Sequence, residues 1–208
     1  MKEDTFDRKE HWENIYNTKK FEEVGWYQKL PKISLDLIDE HAISPSSRVI
    51  DVGAGDSFLV DHLMDKGFAC ITILDISEKA IDRAKDRLGI KANEIDWIVS
   101  DIVDLQTEKR FDLWHDRAAF HFLTSDEDIE KYVSLMEKVL VKGAFVLIGC
   151  FSQNGPKKCS GIPITQYSED SLTKRFGDSF EKLSCFYTDH ITPSGGIQNY
   201  VICSFKKK

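Results

Sequence analysis

Three acidic side chains and a pair of glycines are the residues of this sequence whose spacing can do chemistry. Asp51 lies in the run Val49-Ile50-Asp51-Val52, followed by Gly53-Ala54-Gly55, and Ser57 opens a helical pattern. Asp75 ends the apolar run Cys70 to Leu74, and Asp101 follows the short run Asp96 to Val99. A glycine turn between strand and helix lets the backbone approach a ligand closely, and the free N–H groups of the helix start face that ligand. A carboxylate at the tip of the second strand reaches the ribose hydroxyls of a nucleoside held at such a turn. One after the third strand can accept from an adenine amino group, with Ile102 offering a backbone N–H beside it. Asp75 could instead cap the next helix, but Ser77 suits that task better. The chemistry implied is the binding of a nucleoside cofactor.

A second group of ionisable residues follows Trp114: His115-Asp116-Arg117, then His121, with His190 much later. Histidine titrates near neutral pH, so His115, His121 and His190 are candidate bases. Asp116 could hold a cationic substrate and Arg117 could clamp a carboxylate, or the two could pair with each other. Cys159, in the loop Asn154 to Gly161, is a candidate substrate-loop thiol.

These residues need elements to hold them. The patterns predict strands at Arg48 to Val52, Cys70 to Leu74, Asp96 to Val99, Phe111 to Trp114 and Ala144 to Phe151. Helices are expected near Asp7 to Lys19, from Ile33 to before Ser44, and at Ser57 to Lys66, Ile76 to Leu88 and Glu127 to Leu140. Strand and helix alternate, and the strand runs are apolar enough to be buried on both faces, so the pattern is a doubly wound α/β sheet. The last third changes character: a helix at Ser168 to Phe176, then Phe180 to Thr188 and Gln198 to Phe205 joined through Pro193, Gly195 and Gly196, an antiparallel hairpin. The aromatics of Phe21 to Leu30 fall in a loop. They either pack as cover over the core edge or form a lid that excludes water from a reaction, and the two are compatible.

With 208 residues, 41% hydrophobic and 30% charged, one substantial core and one domain are expected. A net charge of −7 argues against a nucleic-acid partner, whose phosphates demand basic surface. No membrane-spanning run and no signal-peptide core are visible, so a cytoplasmic protein is expected. The five cysteines include no Cys-x-x-Cys pair, which excludes the usual zinc spacing, predicts no metal and disfavours a disulfide framework. Cys70, Cys150, Cys185 and Cys203 read as small buried hydrophobes.

The glycine turn decides which cofactor is expected. The dinucleotide fingerprint requires a third glycine where this chain has Phe58, and no Gly-Lys-Ser/Thr follows as in a P-loop. An NAD oxidoreductase is therefore disfavoured. What remains, acid-x-Gly-x-Gly with acids after the next two strands, resembles motif I of the class I S-adenosylmethionine-dependent methyltransferases. The segments HWENIY and GWYQ are also similar to the group that includes the elongation factor 1A lysine methyltransferases. The resemblance covers the chain from about Asp7 to Phe205. It implies a Rossmann-like α/β fold: a seven-stranded, mostly parallel sheet with an antiparallel C-terminal strand. It further implies one methyltransferase domain: an N-terminal helical lid at 1–44, a cofactor-binding half at 45–151, and a substrate-side loop and hairpin at 152–208.

By position, the resemblance assigns cofactor contacts to Trp12, Tyr16, Trp26, Gly53, Asp75, Ile76, Asp101 and Ile102, with Asp116 near the sulfonium. The motif itself adds Asp51, Gly55 and Ser57. Departures are the segment His115-Asp116-Arg117, where the group has an acid, a lysine and a glycine, and the loop GPKKCSG. No Asp/Asn-Pro-Pro-Tyr/Phe motif follows the fourth strand. The expected function is methyl transfer to a nucleophilic N, S or O atom of a small molecule. A protein lysine is the alternative acceptor, and a non-catalytic S-adenosylmethionine-binding module is a third reading.

Overall fold

Strand runs that are apolar on both sides require cover on both sides, and this chain supplies it with helices. The computed structural model describes residues 6–208; the first five residues of the expected N-terminal lid lie outside the described residues. In chain order the elements are α1 (Arg8–Thr18), α2 (Lys32–Glu40), β1 (Arg48–Val52), α3 (Leu59–Asp65), β2 (Cys70–Asp75) and α4 (Glu78–Leu88). They continue with β3 (Asp96–Val99), β4 (Phe111–Arg117), α5 (Asp126–Val139) and β5 (Leu140–Phe151). The two-residue strands β6 (Lys158–Cys159) and β7 (Ile162–Pro163), then α6 (Glu169–Phe176), β8 (Phe180–Ile191) and β9 (Ile197–Lys207), complete the chain.

Seven strands form one sheet in the order β3-β2-β1-β4-β5-β9-β8. β1 to β5 are mutually parallel, and β9 runs antiparallel to both β5 and β8, as expected. Alternate residues of each strand feed opposite faces. Along β5, Val146, Ile148 and Cys150 join a core with Tyr132 and Met136 of α5 and Phe176 of α6. Leu147 and Phe151 join a second core with Leu37 and Ile38 of α2 and Leu63 of α3. The chain departs from β1 to opposite sides of it, first to β2 and later to β4, which makes their C-terminal ends the switch point where such sheets bind ligands.

Four expectations are corrected. β4 continues through His115, Asp116 and Arg117, because β1 and β5 flank it and extend the ladder to Asp51↔His115, Val52↔Asp116 and Arg117↔Gly149. The helix after the glycine turn starts at Leu59, and Ser57 Oγ accepts the Leu59 N–H at 3.2 Å. Cys70 is exposed, since it is the first residue of β2 and only the residues after it are buried. Cys185 and Cys203 are disulfide-bonded: the register of β8 and β9 sets them opposite each other, with Cα atoms 4.1 Å apart.

Candidate active site

The C-terminal ends of β1 to β4 open into a cleft. Val52 and Gly53 line it from β1, Leu74 to Ile76 from β2, and Ser100 to Ile102 from the turn after β3. Trp12 and Tyr16 of α1 and Trp26 of the following loop cover it. The two glycines are sterically required. Gly53 has φ +62° and a Cβ there would overlap Ala119; Gly55 has φ +58° and a Cβ there would overlap the Tyr16 hydroxyl.

Asp75 is 6% exposed. Its Oδ2 accepts the Gly55 N–H at 2.7 Å and its Oδ1 accepts the Ser77 N–H at 2.8 Å. Burial pushes its carboxyl up to about 7, against the opposing pull of those two N–H groups. A carboxylate has about four lone-pair sites, so acceptor capacity remains toward the cleft. Asp101 accepts the Val103 N–H at 3.1 Å and pairs with Arg8 of α1 at 3.2 Å.

Glu13, a residue the sequence did not mark, fixes the cover in place. Its carboxylate accepts from Ser77 Oγ at 3.0 Å, Glu78 N at 2.7 Å and Lys79 N at 3.2 Å. The two backbone N–H groups are orphan donors at the start of α4, where a negative charge is also favoured by the helix dipole. With α1 docked there, Trp12 meets Trp26 and Phe122 edge-on, at centroid distances of 5.8 and 4.9 Å. Ser77 also caps α4, as expected, by accepting the Ala80 N–H.

The ionisable cluster on β4 does not converge on this cleft. Asp116 is 1% exposed, and its carboxylate accepts the N–H groups of Ala119 and Phe120 and the Tyr132 hydroxyl. Burial raises its pKa to about 6. The extension of β4 turns this side chain into the core, so it is not free to meet a substrate, and it does not pair with Arg117. His121 is fully buried; its Nδ1 accepts the Phe151 N–H at 3.2 Å, and burial lowers its pKa to about 3. Asp51 lies behind the turn, 2.6 Å from His115 Nδ1, while His115 Nε2 meets Ser34 Oγ at 2.8 Å. Gly55 and Ser57 shape the turn without lining the cleft.

Arg117 does line the cleft, and it also lines a second cavity whose wall includes His115, Asp116, Asp189 and His190. His190 Nε2 donates to the Gly25 carbonyl at 2.8 Å, which leaves Nδ1 as the acceptor facing Gln28 at 3.3 Å. Burial lowers its pKa. Cys159 lines the cleft, and burial pushes its thiol up to about 11, so it is not a thiolate at neutral pH.

Residues 49–143, which hold the glycine turn and the strands that form the cleft, match the family model described as Methyltransferase domain. The chain is a class I S-adenosylmethionine-dependent methyltransferase. This methyltransferase is 25% identical to human EEF1A lysine methyltransferase 2, over 93% of this chain and 82% of that protein. It is 24% identical to the mouse eEF1A lysine and N-terminal methyltransferase over 75% of this chain but spans only 23% of that protein. Its fold matches a structure described as "Conversion of a Disulfide Bond into a Thioacetal Group during Echinomycin Biosynthesis", with a TM-score of 0.78, 21% identity, and 96% and 93% of the two chains covered.

The methyltransferase's cleft fits its cofactor on its own geometry. A buried carboxylate with spare acceptor capacity faces the cavity from β2, and the glycine turn has no room for side chains. Among the described residues, no helix is long and apolar enough to cross a membrane, and no cluster of His, Cys, Asp and Glu could hold a metal ion.

Proposed function

We propose that this methyltransferase acts on a nucleophilic N, S or O atom of a small molecule. Asp75 would hold the ribose hydroxyls, Asp101 and the Ile102 N–H the adenine edge, and Gly53 the backbone approach beside them. Trp12, Tyr16 and Trp26 would close over the bound cofactor as a lid and keep water out. When bound, S-adenosylmethionine supplies an electrophilic methyl: the acceptor's lone pair takes the methyl carbon while the carbon–sulfur electron pair stays on sulfur. The chain's own task is then orientation, which can supply roughly 7–11 kcal/mol of barrier reduction. A protonated acceptor also needs a base. His190 suits that role, because its Nε2–H is committed to Gly25 and its Nδ1 lone pair is held only by Gln28 at 3.3 Å.

The observation that carries the small-molecule reading is the roof. Trp12, Trp26 and Phe122 pack edge-on across the cleft, and the cavity adjoining it has apolar walls from Ile33, Leu147 and Ile202. A protein lysine is the second reading, favoured by the 25% identity to human EEF1A lysine methyltransferase 2 over 93% of this chain.

Calorimetry with S-adenosylhomocysteine tests the cofactor site, and micromolar or tighter binding is expected. Labelled S-adenosylmethionine in an extract then separates the acceptors. Label in small metabolites supports the first reading, and label on a protein band supports the second. No binding of either cofactor form would overturn both.

A further inference from the structure

The geometry points to the second cavity as the acceptor site, and to an acceptor that carries a carboxylate held by Arg117. This rests on the methyl-transfer reading above and adds the chemical class of the substrate. Arg117 and Tyr200 are wall to both cavities, so a molecule in the second one adjoins whatever occupies the cleft. Ile33, Leu147 and Ile202 give this cavity apolar sides that suit a small organic body.

Its wall holds three charged residues, Arg117, Asp116 and Asp189, and both carboxylates are bonded to other groups of the protein. Arg117 is half-buried, and its hydrogen bond among the described residues is from Nη2 to the Trp26 carbonyl at 3.0 Å. Arg8, Arg48, Arg83, Arg87 and Arg175 each meet an aspartate; among the described residues Arg117 meets none, and neither does Arg110, which donates to the Glu108 and Lys109 carbonyls and lies outside this cavity. A guanidinium has five N–H donors in a planar fork, so most of its donors remain uncommitted.

The acids that could compensate it are occupied elsewhere. Asp116 serves Ala119, Phe120 and Tyr132; Asp51 serves His115; Asp189 accepts from Asn199. His190 supplies no negative charge in any protonation state. A half-buried cation without a partner is unfavourable, and a carboxylate matches the guanidinium fork in both charge and shape. An amine without an acid group, a lysine ammonium included, gains no pairing with Arg117 and is repelled by it.

The test uses the full chain saturated with S-adenosylhomocysteine and two probes of nearly equal shape, phenylacetate and phenylacetamide. Calorimetry should find the acid bound at least tenfold more tightly. Arg117→Met should reduce that ratio to near one while S-adenosylhomocysteine affinity stays within about threefold of wild type. Ile33→Phe, which narrows the second cavity from α2 without touching the cleft, should weaken phenylacetate and leave the cofactor unaffected. In turnover with labelled cofactor, 3-mercaptobenzoate should outperform 3-mercaptobenzamide, and Arg117→Met should erase the difference.

Equal binding of acid and amide, or binding of neither, would overturn the proposal. So would an Arg117→Met variant that loses S-adenosylhomocysteine instead, since Arg117 would then serve the cofactor's own carboxylate. If sulfate displaced phenylacetate at equal concentration, the site would be a general anion site and the carboxylate assignment would fail. Failure of the wild type to bind S-adenosylhomocysteine at all is a different result, and it would overturn the cofactor reading.

Discussion

The backbone N–H of Gly55 donates to the Asp75 carboxylate at 2.7 Å, so the turn after β1 is tied to the tip of β2 by the same side chain proposed to hold the ribose. Asp75→Asn leaves one oxygen to serve two N–H donors and turns an amide toward one of them. S-adenosylhomocysteine affinity should fall about tenfold or more, equivalent to ~1.4 kcal/mol. Because the Asp75 pKa is raised to about 7, wild-type affinity should rise as pH goes from 6 to 8, with the ionised form offering more acceptors. Stability of the unliganded chain should move the other way. Between the usual carboxyl value near ~3.9 and about 7 the folded state binds more protons than the unfolded one, so stability is lost as pH rises through that window. A titration of affinity and melting temperature in wild type and Asp75→Asn checks both slopes, and both should flatten in the variant.

Gly55→Ala combines two costs. A non-glycine residue at φ +58° loses about 1–2 kcal/mol, and the new methyl overlaps the Tyr16 hydroxyl. Melting temperature and cofactor affinity should both fall. Adding Tyr16→Phe removes the overlap but not the strain, so the double variant should recover part of the affinity, and a double-mutant cycle should reveal the coupling.

Glu13→Ala should loosen the cover without unfolding the protein. Three donors at the start of α4 lose their acceptor, at a cost of about 1 kcal/mol. Amide exchange should accelerate through Trp12 to Tyr16, and S-adenosylhomocysteine should dissociate faster. Unchanged exchange in α1 would show that other contacts hold it.

His190→Gln tests the proposed base. Turnover should fall about 10²-fold or more at unchanged S-adenosylhomocysteine affinity. The imidazole pKa is lowered by burial, so its neutral form persists below the usual histidine range, and the acid limb of the wild-type rate profile should lie below pH 6.5. Persistence of that limb in the variant would remove His190 from the mechanism.

Asp116→Asn should behave as a stability variant. One amide oxygen cannot satisfy two backbone N–H groups and the Tyr132 hydroxyl, so the loss should be about 1–3 kcal/mol in denaturant unfolding. Any loss of turnover should be recovered at lower temperature, where the fold is intact.

Local pattern determined most of the frame. Continuous apolar runs of the kind a parallel sheet covers on both faces marked the strands β1 to β5, and acids at the tips of β2 and β3 marked the cleft, because a strand's end and its neighbouring turn are set by nearby residues. Gly53 and Gly55 were legible for the same reason. Strand extent beyond that was decided by neighbours: β4 runs on through Arg117 because β1 and β5 pair with it, and that extension buried Asp116 and put Arg117 at the wall between two cavities. The disulfide between Cys185 and Cys203 depends on the register of a hairpin, and the grip of Glu13 on α4 joins residues far apart in the chain. Such contacts have no local period or composition to announce them. The sequence by itself therefore determined the sheet, the turn and the cofactor class, whereas tertiary packing decided which of the polar residues face a ligand and which serve the core.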